Sequence, residues 1–431
     1  MRLNYSEVAL HVPNILLPSE DIPLDTWAVI ACDQYTSEPS YWDDVHQRVG
    51  QDPSTLHLIF PEVYLETSDR GELIGSINAR MDEYLAKGML RALPPGFVAV
   101  ERTLARGAVR RGLVVALDLE HYDYCTGAQE LVRTTEGTVL ERLPPRIRVR
   151  ERAQLEVPHI MVLIDDPQRT VIEPLFAGRK DPLYDGELML GGGRVRGYLV
   201  DDEAIIERVV ANLAALERGE PPMLYAMGDG NHSFATAKAV WEAIKEQAED
   251  QQSVMQHPAR YALVELVNIH DEGLEFEPIH RAVFGVETEE LLAAASAFFA
   301  AEEFSWGYCE EGDEREAGAS SGHVIAFFND GRRGWMHIED PSSHLAVASL
   351  QAFIDDFIEG YPLAKVDYIH GEAALERLAA ESHCTGFFLQ GIAKRDFFQT
   401  IALDGALPRK TFSLGEAEEK RYYVECRRIV P

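Results

Sequence analysis

The sequence predicts a mixed α/β (α+β) protein built as two lobes, and three observations carry that expectation. Short apolar runs of strand length recur between windows whose apolar residues follow helical spacing. The 431 residues exceed what one small core organises, and 46% of them are apolar, enough for a packed interior. No apolar stretch reaches membrane-spanning length, so the expected class is globular, with no membrane partner.

The first run, residues 27–32, reads as a buried strand leading into the polar turn Asp33-Gln34-Tyr35-Thr36-Ser37. Ser40 is the expected cap of a helix through Val45, and residues 56–60 read as a strand stopped by Pro61. Residues 74–90 predict an amphipathic helix with Ile77, Met81, Tyr84 and Leu85 on one face. Residues 97–104 and 109–119 predict a hairpin across Ala105-Arg106-Gly107. In Arg146-Ile147-Arg148-Val149-Arg150, arginine alternates with β-branched residues, so a strand there would set three guanidinium groups on one face. Such a face attracts anions; equally, its arginines can pair with nearby carboxylates or blunt a sheet edge.

Residues 203–216 have helical spacing and end at Arg218-Gly219-Glu220-Pro221-Pro222, the expected lobe boundary. The expected division is therefore 1–218 and 219–431. Beyond it come a strand at 223–227, a helix at 234–245, a strand at 261–269, and an acidic Gly- and Ser-rich surface loop at 310–322. A hairpin follows at 324–328 and 335–338, then alternating helices and strands.

A net charge of −32 repels nucleic acid and anionic membranes, so neither is an expected partner. The five cysteines have no C-x-x-C spacing and their number is odd, so free thiols in a cytoplasmic protein are expected, without structural zinc. The N-terminus has no signal-peptide pattern.

The chemistry is expected at Met227-Gly228-Asp229-Gly230-Asn231-His232-Ser233, a Gly-rich turn between a strand and a helix. That arrangement aims backbone N–H groups at an anion, and glycine allows positive φ and close approach. Asp229 is a candidate base or magnesium ligand; Asn231, His232 and Ser233 are candidate donors. The turn is neither the Gly-Lys-Ser/Thr phosphate loop nor G-x-G-x-x-G, since Ser233 holds the last glycine position. A structural turn with a buried His232 is the plain alternative.

This loop, with the helices on either side, resembles the bacterial and archaeal family known as "domain of unknown function" 1015. So do Leu58-Ile59-Phe60-Pro61-Glu62, Arg133-Thr134-Thr135-Glu136-Gly137-Thr138, Pro278-Ile279-His280-Arg281 and Leu407-Pro408-Arg409-Lys410-Thr411-Phe412, which follow in order along the chain. The loop is also similar to the signature turn of the ParB/sulfiredoxin superfamily, which binds nucleotide phosphates and includes an archaeal free-serine kinase. On that likeness Asn231 stands where sulfiredoxin has its cysteine, His232 where it has its histidine, and Ser233 where arginine is usual. Thiol chemistry is thus not implied, and a guanidinium fork on phosphate is lost.

The resemblance implies a ParB/sulfiredoxin-like core with an N-terminal mixed-sheet lobe and a C-terminal α/β lobe. It implies a phosphate-handling enzyme: a nucleotide-dependent phosphotransferase, kinase-like, acting on a small hydroxy compound such as serine. Asp229, His232 and Glu136 would be catalytic. Gly228, Gly230, Asn231, Ser233, Arg133, Thr134, Thr135, His280, Arg281, Lys410 and Thr411 would hold phosphate or ligand. Magnesium with ATP or ADP would be the cofactor, and a small phosphorylated metabolite or nucleotide the partner. A phosphatase of a small phosphoester and a non-catalytic nucleotide-binding regulatory protein are the alternatives.

Overall fold

The structure, a computed structural model, describes residues 1–65, 70–178, 180–309, 322–380 and 383–431. The chain divides into two compact units. The first is Met1–Glu275 with Leu414–Pro431, and the second is Phe276–Ser413. The turn expected to separate the lobes lies within the first unit. There Arg218 and Met223 exchange backbone hydrogen bonds of 3.2 and 2.9 Å around Gly219 and the two prolines.

The first unit is built on one twisted mixed sheet. Its elements, in chain order, are α1 (Pro39–Val49), α2 (Arg70–Ala86), β1 (Phe97–Thr103), β2 (Val109–Asp118), β3 (Val132–Arg133), α3 (Leu143–Arg150), β4 (Met161–Ile164), β5 (Tyr184–Glu187), β6 (Arg194–Val200), α4 (Glu203–Ala214), β7 (Tyr225–Asp229), α5 (Asn231–Gln247) and β8 (Tyr261–Asn268). The strands run in the order β5-β6-β1-β2-β8-β4-β7-β3. The β8–β4 and β7–β3 pairs are parallel and the rest antiparallel.

Alternation along each strand sorts side chains onto two faces. Phe97, Ala99, Leu113, Val115 and Leu117 join a core with Ile206 and Val209 of α4 and Phe234 and Trp241 of α5. Val98, Val100, Val114 and Ala116 face a second core with Trp27, Trp42, Met81, Tyr84 and Tyr423. Both faces of the sheet are therefore covered. The expected hairpin is β1–β2, and the expected helix at 203–216 is α4, begun by the Asp202 carboxylate accepting from Ile205 N at 3.0 Å.

Four local expectations are corrected. Residues 27–32 are not a ladder strand: Leu24–Trp27 is a helical turn after Pro23, and the following residues run beside the segment after the second unit. Ala31 N donates to Arg421 O and Tyr423 N to Val29 O, each at 2.9 Å. These residues are buried as expected, so burial alone produced the apolar run. Residues Thr55–Leu58 form a 3-10 turn because the Ser54 hydroxyl accepts from Leu56 N. Ser40 caps nothing; α1 begins at Pro39, whose fixed φ suits a first helical turn. Residues 146–150 are helical, within α3, because Pro144 and Pro145 preset its first turn. Helical spacing sends Arg146 and Arg150 to one side, where they meet Glu62 and Glu156, while Arg148 is exposed.

The second unit is an antiparallel sheet with helices. It comprises β9 (Phe276–Phe284), α6 (Thr288–Phe298), β10 (Phe304–Tyr308), β11 (His323–Asn329), β12 (Arg332–Ile338), α7 (Ala346–Gly360), β13 (Lys365–His370), α8 (Glu372–Ala379), β14 (Cys384–Phe388) and α9 (Lys394–Asp404). The strand order is β10-β12-β11-β14-β9-β13. The expected hairpin across Asn329-Asp330-Gly331 is β11–β12. His280 and Arg281 lie within β9, rather than just after a strand, since their backbones pair with β13 on one side and Arg281 with β14 on the other. The acidic loop read at 310–322 lies, except for Gly322, outside the described residues.

Among the described residues no helix is long and apolar enough to cross a membrane, and all five cysteines are free thiols.

Candidate functional site

Strand β7 delivers the Gly-rich turn and α5 leaves it. Gly230 adopts φ 77°, the left-handed conformation that reverses the chain into the helix, and a Cβ there would sit 3.1 Å from Ile160 Cα. Glycine is needed on both counts. At Gly228 a Cβ would approach Leu414 Cδ1 to 2.9 Å and Leu163 Cγ to 3.1 Å, so those side chains would have to shift. No side-chain hydrogen bond from the N-cap residue caps the start of this 17-residue helix, which is the positive end of its dipole.

Around that start, the structure gathers several of the expected residues. Asp229 Oδ1 accepts from Gly230 N at 2.9 Å, and its Oδ2 lies 3.5 Å from Lys420 Nζ. The Thr134 hydroxyl is 3.0 Å from Asn231 Oδ1 and 2.6 Å from the Glu136 carbonyl. Thr135, fully buried, donates to Met227 O at 2.7 Å and so ties the 133–138 segment to β7. His232 accepts from Val139 N through Nε2 at 3.3 Å. Burial, then the charges of Arg146 and Arg142, push the His232 pKa down to about 4, so the ring is neutral at pH 7 and offers no charge to a phosphate. The Arg133 guanidinium donates to the carbonyls of Glu130, Ala128 and Pro222, which makes it a brace for its own loop.

The remaining expected residues belong to the second unit. Arg281 is fully buried and donates to Gln351 Oε1 at 2.8 Å, Ile279 O at 2.6 Å and Lys410 O at 3.0 Å. Its guanidinium also lies 4.7 Å over the Tyr368 ring. His280 accepts from Leu389 N at 3.1 Å through Nδ1, and burial lowers its pKa. The Thr411 hydroxyl donates to Pro408 O at 2.6 Å. Lys410 is exposed and holds φ 61° in the turn that Arg281 braces.

A cavity of ≈ 210 Å³ lies beside the start of α5. Its polar lining includes Ser233, Thr236, His159, Arg146, Glu62 and Tyr423. His159 is the hub. Its Nε2 lies 3.2 Å from Ser233 Oγ and 3.6 Å from Asp33 Oδ2, and its Nδ1 lies 2.8 Å from the Tyr423 hydroxyl. That hydroxyl in turn accepts from Cys32 N at 3.0 Å. Burial works to raise the Asp33 carboxyl, but His159, the Gln34 amide and Lys420 outweigh it and hold it below the usual range. Burial holds the Glu62 carboxyl above the usual range despite its ion pair with Arg146.

In sequence Asp33 belongs to the turn 33–37, which could line the same cleft, while Glu62 and Arg146 stand only as parts of larger segments. His159, Lys420 and Tyr423 were not expected as site residues. A lone histidine between Pro158 and a buried strand gives no periodic signal, and Tyr423 lies 264 positions from the imidazole it touches.

A family model described as "Protein of unknown function (DUF1015)" matches residues 15–356. No curated protein matches the chain. Among solved structures, a conserved hypothetical protein from Pyrococcus furiosus is 9% identical with a TM-score of 0.38, covering 74% of this chain and 95% of that one. A mutant free serine kinase in complex with ADP is 9% identical with a TM-score of 0.41, covering 72% and 91%. SbnI with C-terminal truncation from Staphylococcus aureus is 11% identical with a TM-score of 0.37, covering 70% and 82%.

Proposed function

The chain belongs to the DUF1015 family of proteins of unknown function, and we propose that it is a phosphate-handling enzyme, a nucleotide-dependent phosphotransferase acting on a hydroxy compound. The observation that carries this reading is the uncapped start of α5 beside a cavity that also holds His159, Arg146 and Ser233. A helix start stabilises phosphate oxygens through its amides and its dipole. The adjoining imidazole supplies a proton acceptor, and the cavity supplies room for the acceptor molecule.

In this reading the acceptor hydroxyl lies against His159 Nε2. Its oxygen attacks the terminal phosphorus of the nucleotide, and the bond from that phosphorus to the bridging oxygen breaks. The products are a phosphoester and the nucleoside diphosphate; the hydroxyl proton passes to His159. Asp33, 3.6 Å away, is the counter-ion of the imidazolium so formed. The amides of α5, Lys420 and Arg146 stabilise charge on the transferring group, where positioning and electrostatics do most of the catalysis. Neutral His232 serves as a strut for the 134–139 loop rather than as an acid or base.

Among the described residues no group of three or more His, Cys, Asp or Glu side chains could hold a metal ion. A magnesium ion arriving with the nucleotide would need less, since magnesium keeps several waters and takes one or two carboxylates besides phosphate. Asp229 would be that carboxylate, exchanging its contact with Lys420 for the ion. Bound there, the ion would neutralise phosphate charge.

The test is nucleoside diphosphate release from ATP with magnesium across a panel of hydroxy compounds, for wild type, His159→Gln and Asp33→Asn. Loss of a general base lowers kcat by about 10²–10⁴-fold, so His159→Gln should lose at least a hundredfold, with Asp33→Asn intermediate. Full turnover by His159→Gln would move the base elsewhere. If millimolar ATP neither binds nor turns over with any acceptor, the phosphotransferase reading falls.

A further inference from the structure

Strands β1 and β2 set Arg102 directly opposite Arg110. Residues paired in this way share one face of the sheet, where like charges repel. Both are buried, each at 3% exposure. Among the described residues neither forms an ion pair, and the nearby carboxylates are engaged elsewhere: Glu265 and Glu425 with Arg421, each at 2.7 Å, and Glu419 with Arg106 at 2.7 Å. Arg102 donates to the carbonyls of Gly192, Glu418 and Lys420, and Arg110 Nη1 donates to Glu419 O at 2.8 Å. The Arg110 Nε is buried and has no acceptor among the described residues. Carbonyl oxygens satisfy donors but do not neutralise charge. Burial and then the charge of Arg110 bring the Arg102 pKa down to about 9.

A cavity of ≈ 20 Å³ lies against these groups. Every residue that lines it is buried except Tyr184, which is half-buried. About 10–15 Å³ of such space takes one water, so the cavity has room for one water or one monatomic ion. Among the described residues its wall carries the guanidinium groups of Arg102, Arg110 and Arg421 against the carboxylates of Glu265 and Glu425, a surplus of one positive charge. A water would give Arg110 Nε an acceptor and leave that surplus in place. A buried charge without a counter-charge is costly. One monovalent anion supplies the acceptor and removes the surplus together.

We infer that this cavity is a binding site for one monatomic, monovalent anion, chloride, which accepts from Arg110 Nε and has Arg102 and Arg110 as its counter-charges. Among the described residues it shares no lining residue with the cavity beside α5, and it does not rest on the phosphotransferase reading. The ion nevertheless acts on a neighbour of that site. Both arginines hold carbonyls of residues 418–420, and this short stretch brings Lys420 Nζ to 3.5 Å from Asp229. Chloride neutralises the repulsion between the two guanidinium groups that hold the stretch in place.

The test is thermal unfolding of the full chain at fixed sodium concentration, with chloride exchanged stepwise for gluconate, an anion too large for the cavity. The Tm of the wild type should rise with chloride and saturate, as mass action requires of a ligand bound only by the folded state. Arg110→Met removes the surplus charge and the open donor together, so its Tm should show no saturable response to chloride. Because a substitution at a buried position can compromise folding, crystals of the wild-type protein grown in sodium bromide provide the second measurement. One anomalous bromide peak within hydrogen-bond reach of Arg110 Nε is expected. A water at that position with bromide confined to the surface overturns the inference. So does a chloride response in Arg110→Met that matches the wild type.

Discussion

A histidine ring that accepts a hydrogen bond from a backbone amide resists protonation, because the added proton would face another donor. His232 is in that position towards Val139 N, and burial followed by the charges of Arg146 and Arg142 brings its pKa down to about 4. An unfolded histidine takes up its proton near pH 6.5. Between pH 6.5 and 4 the unfolded chain therefore binds more protons than the folded one. Stability from this residue is complete above pH 6.5 and declines as the pH falls toward 4. His11, which burial and then Arg427 and Arg260 push down to about 3, contributes a slope of the same sign. In His232→Gln the amide oxygen still accepts from Val139, but nothing titrates. The variant should show a shallower fall of Tm between pH 6.5 and 4 than wild type, with the His11 contribution common to both. Identical slopes would mean that His232 is already protonated or not buried in solution.

At the scale of elements, Glu156 joins segments that have no sequence proximity. Its side chain is 2.6 Å from both Arg150 of α3 and Arg427, and it accepts from Leu263 N of β8 at 2.9 Å. Burial alone would raise this carboxyl, but Arg427 and Arg150 hold it below the usual range. Removing one partner of a buried ion pair leaves the other charge uncompensated, at a cost of roughly 3–5 kcal/mol. Glu156→Gln should lose about that much in urea unfolding; a loss under about 1 kcal/mol would mean that water reaches the two guanidinium groups. The same cluster shows what the sequence could and could not reveal. Periodicity located α4, α5, β1, β2 and β8 because each buries one face or both. It misread residues 146–150, since three arginines alternating with Ile147 and Val149 satisfy a strand pattern while Pro144 and Pro145 start a helix. It misread residues 56–60 because a buried 3-10 turn has the same apolar composition as a short strand. The Gly-rich turn was legible from its own residues. The His159 network was not, because its members Asp33, His159, Ser233 and Tyr423 meet only through the tertiary fold.

For the whole molecule, a net charge of −32 means that the folded chain works against its own repulsion. The ion pairs within it, such as Arg260–Asp118 at 2.5 Å and Arg421–Glu265 at 2.7 Å, are close and partly or wholly buried, so salt screens them less than it screens surface charge. The Debye length falls from about 30 Å at 0.01 M salt to about 10 Å at 0.1 M. Raising sodium chloride from 10 to 500 mM should therefore raise Tm by relieving long-range repulsion more than it weakens contact pairs. A fall in Tm over that range would show that exposed attractive pairs dominate instead.

The first unit is not continuous in the chain. A second unit of roughly 140 residues, Phe276–Ser413, separates its main part from Lys420, Arg421 and Tyr423. During translation at about 5–20 residues per second, the large sheet emerges roughly 7–28 s before those residues do. Through that interval the core that holds Trp27, Val98 and Val114 lacks the share that Tyr422, Tyr423, Val424, Cys426 and Ile429 contribute. A ribosome that stops anywhere in the second unit releases a chain without the Tyr423 hydroxyl that lies 2.8 Å from His159 Nδ1. The layout thus makes completeness of synthesis a condition for assembling the His159 network.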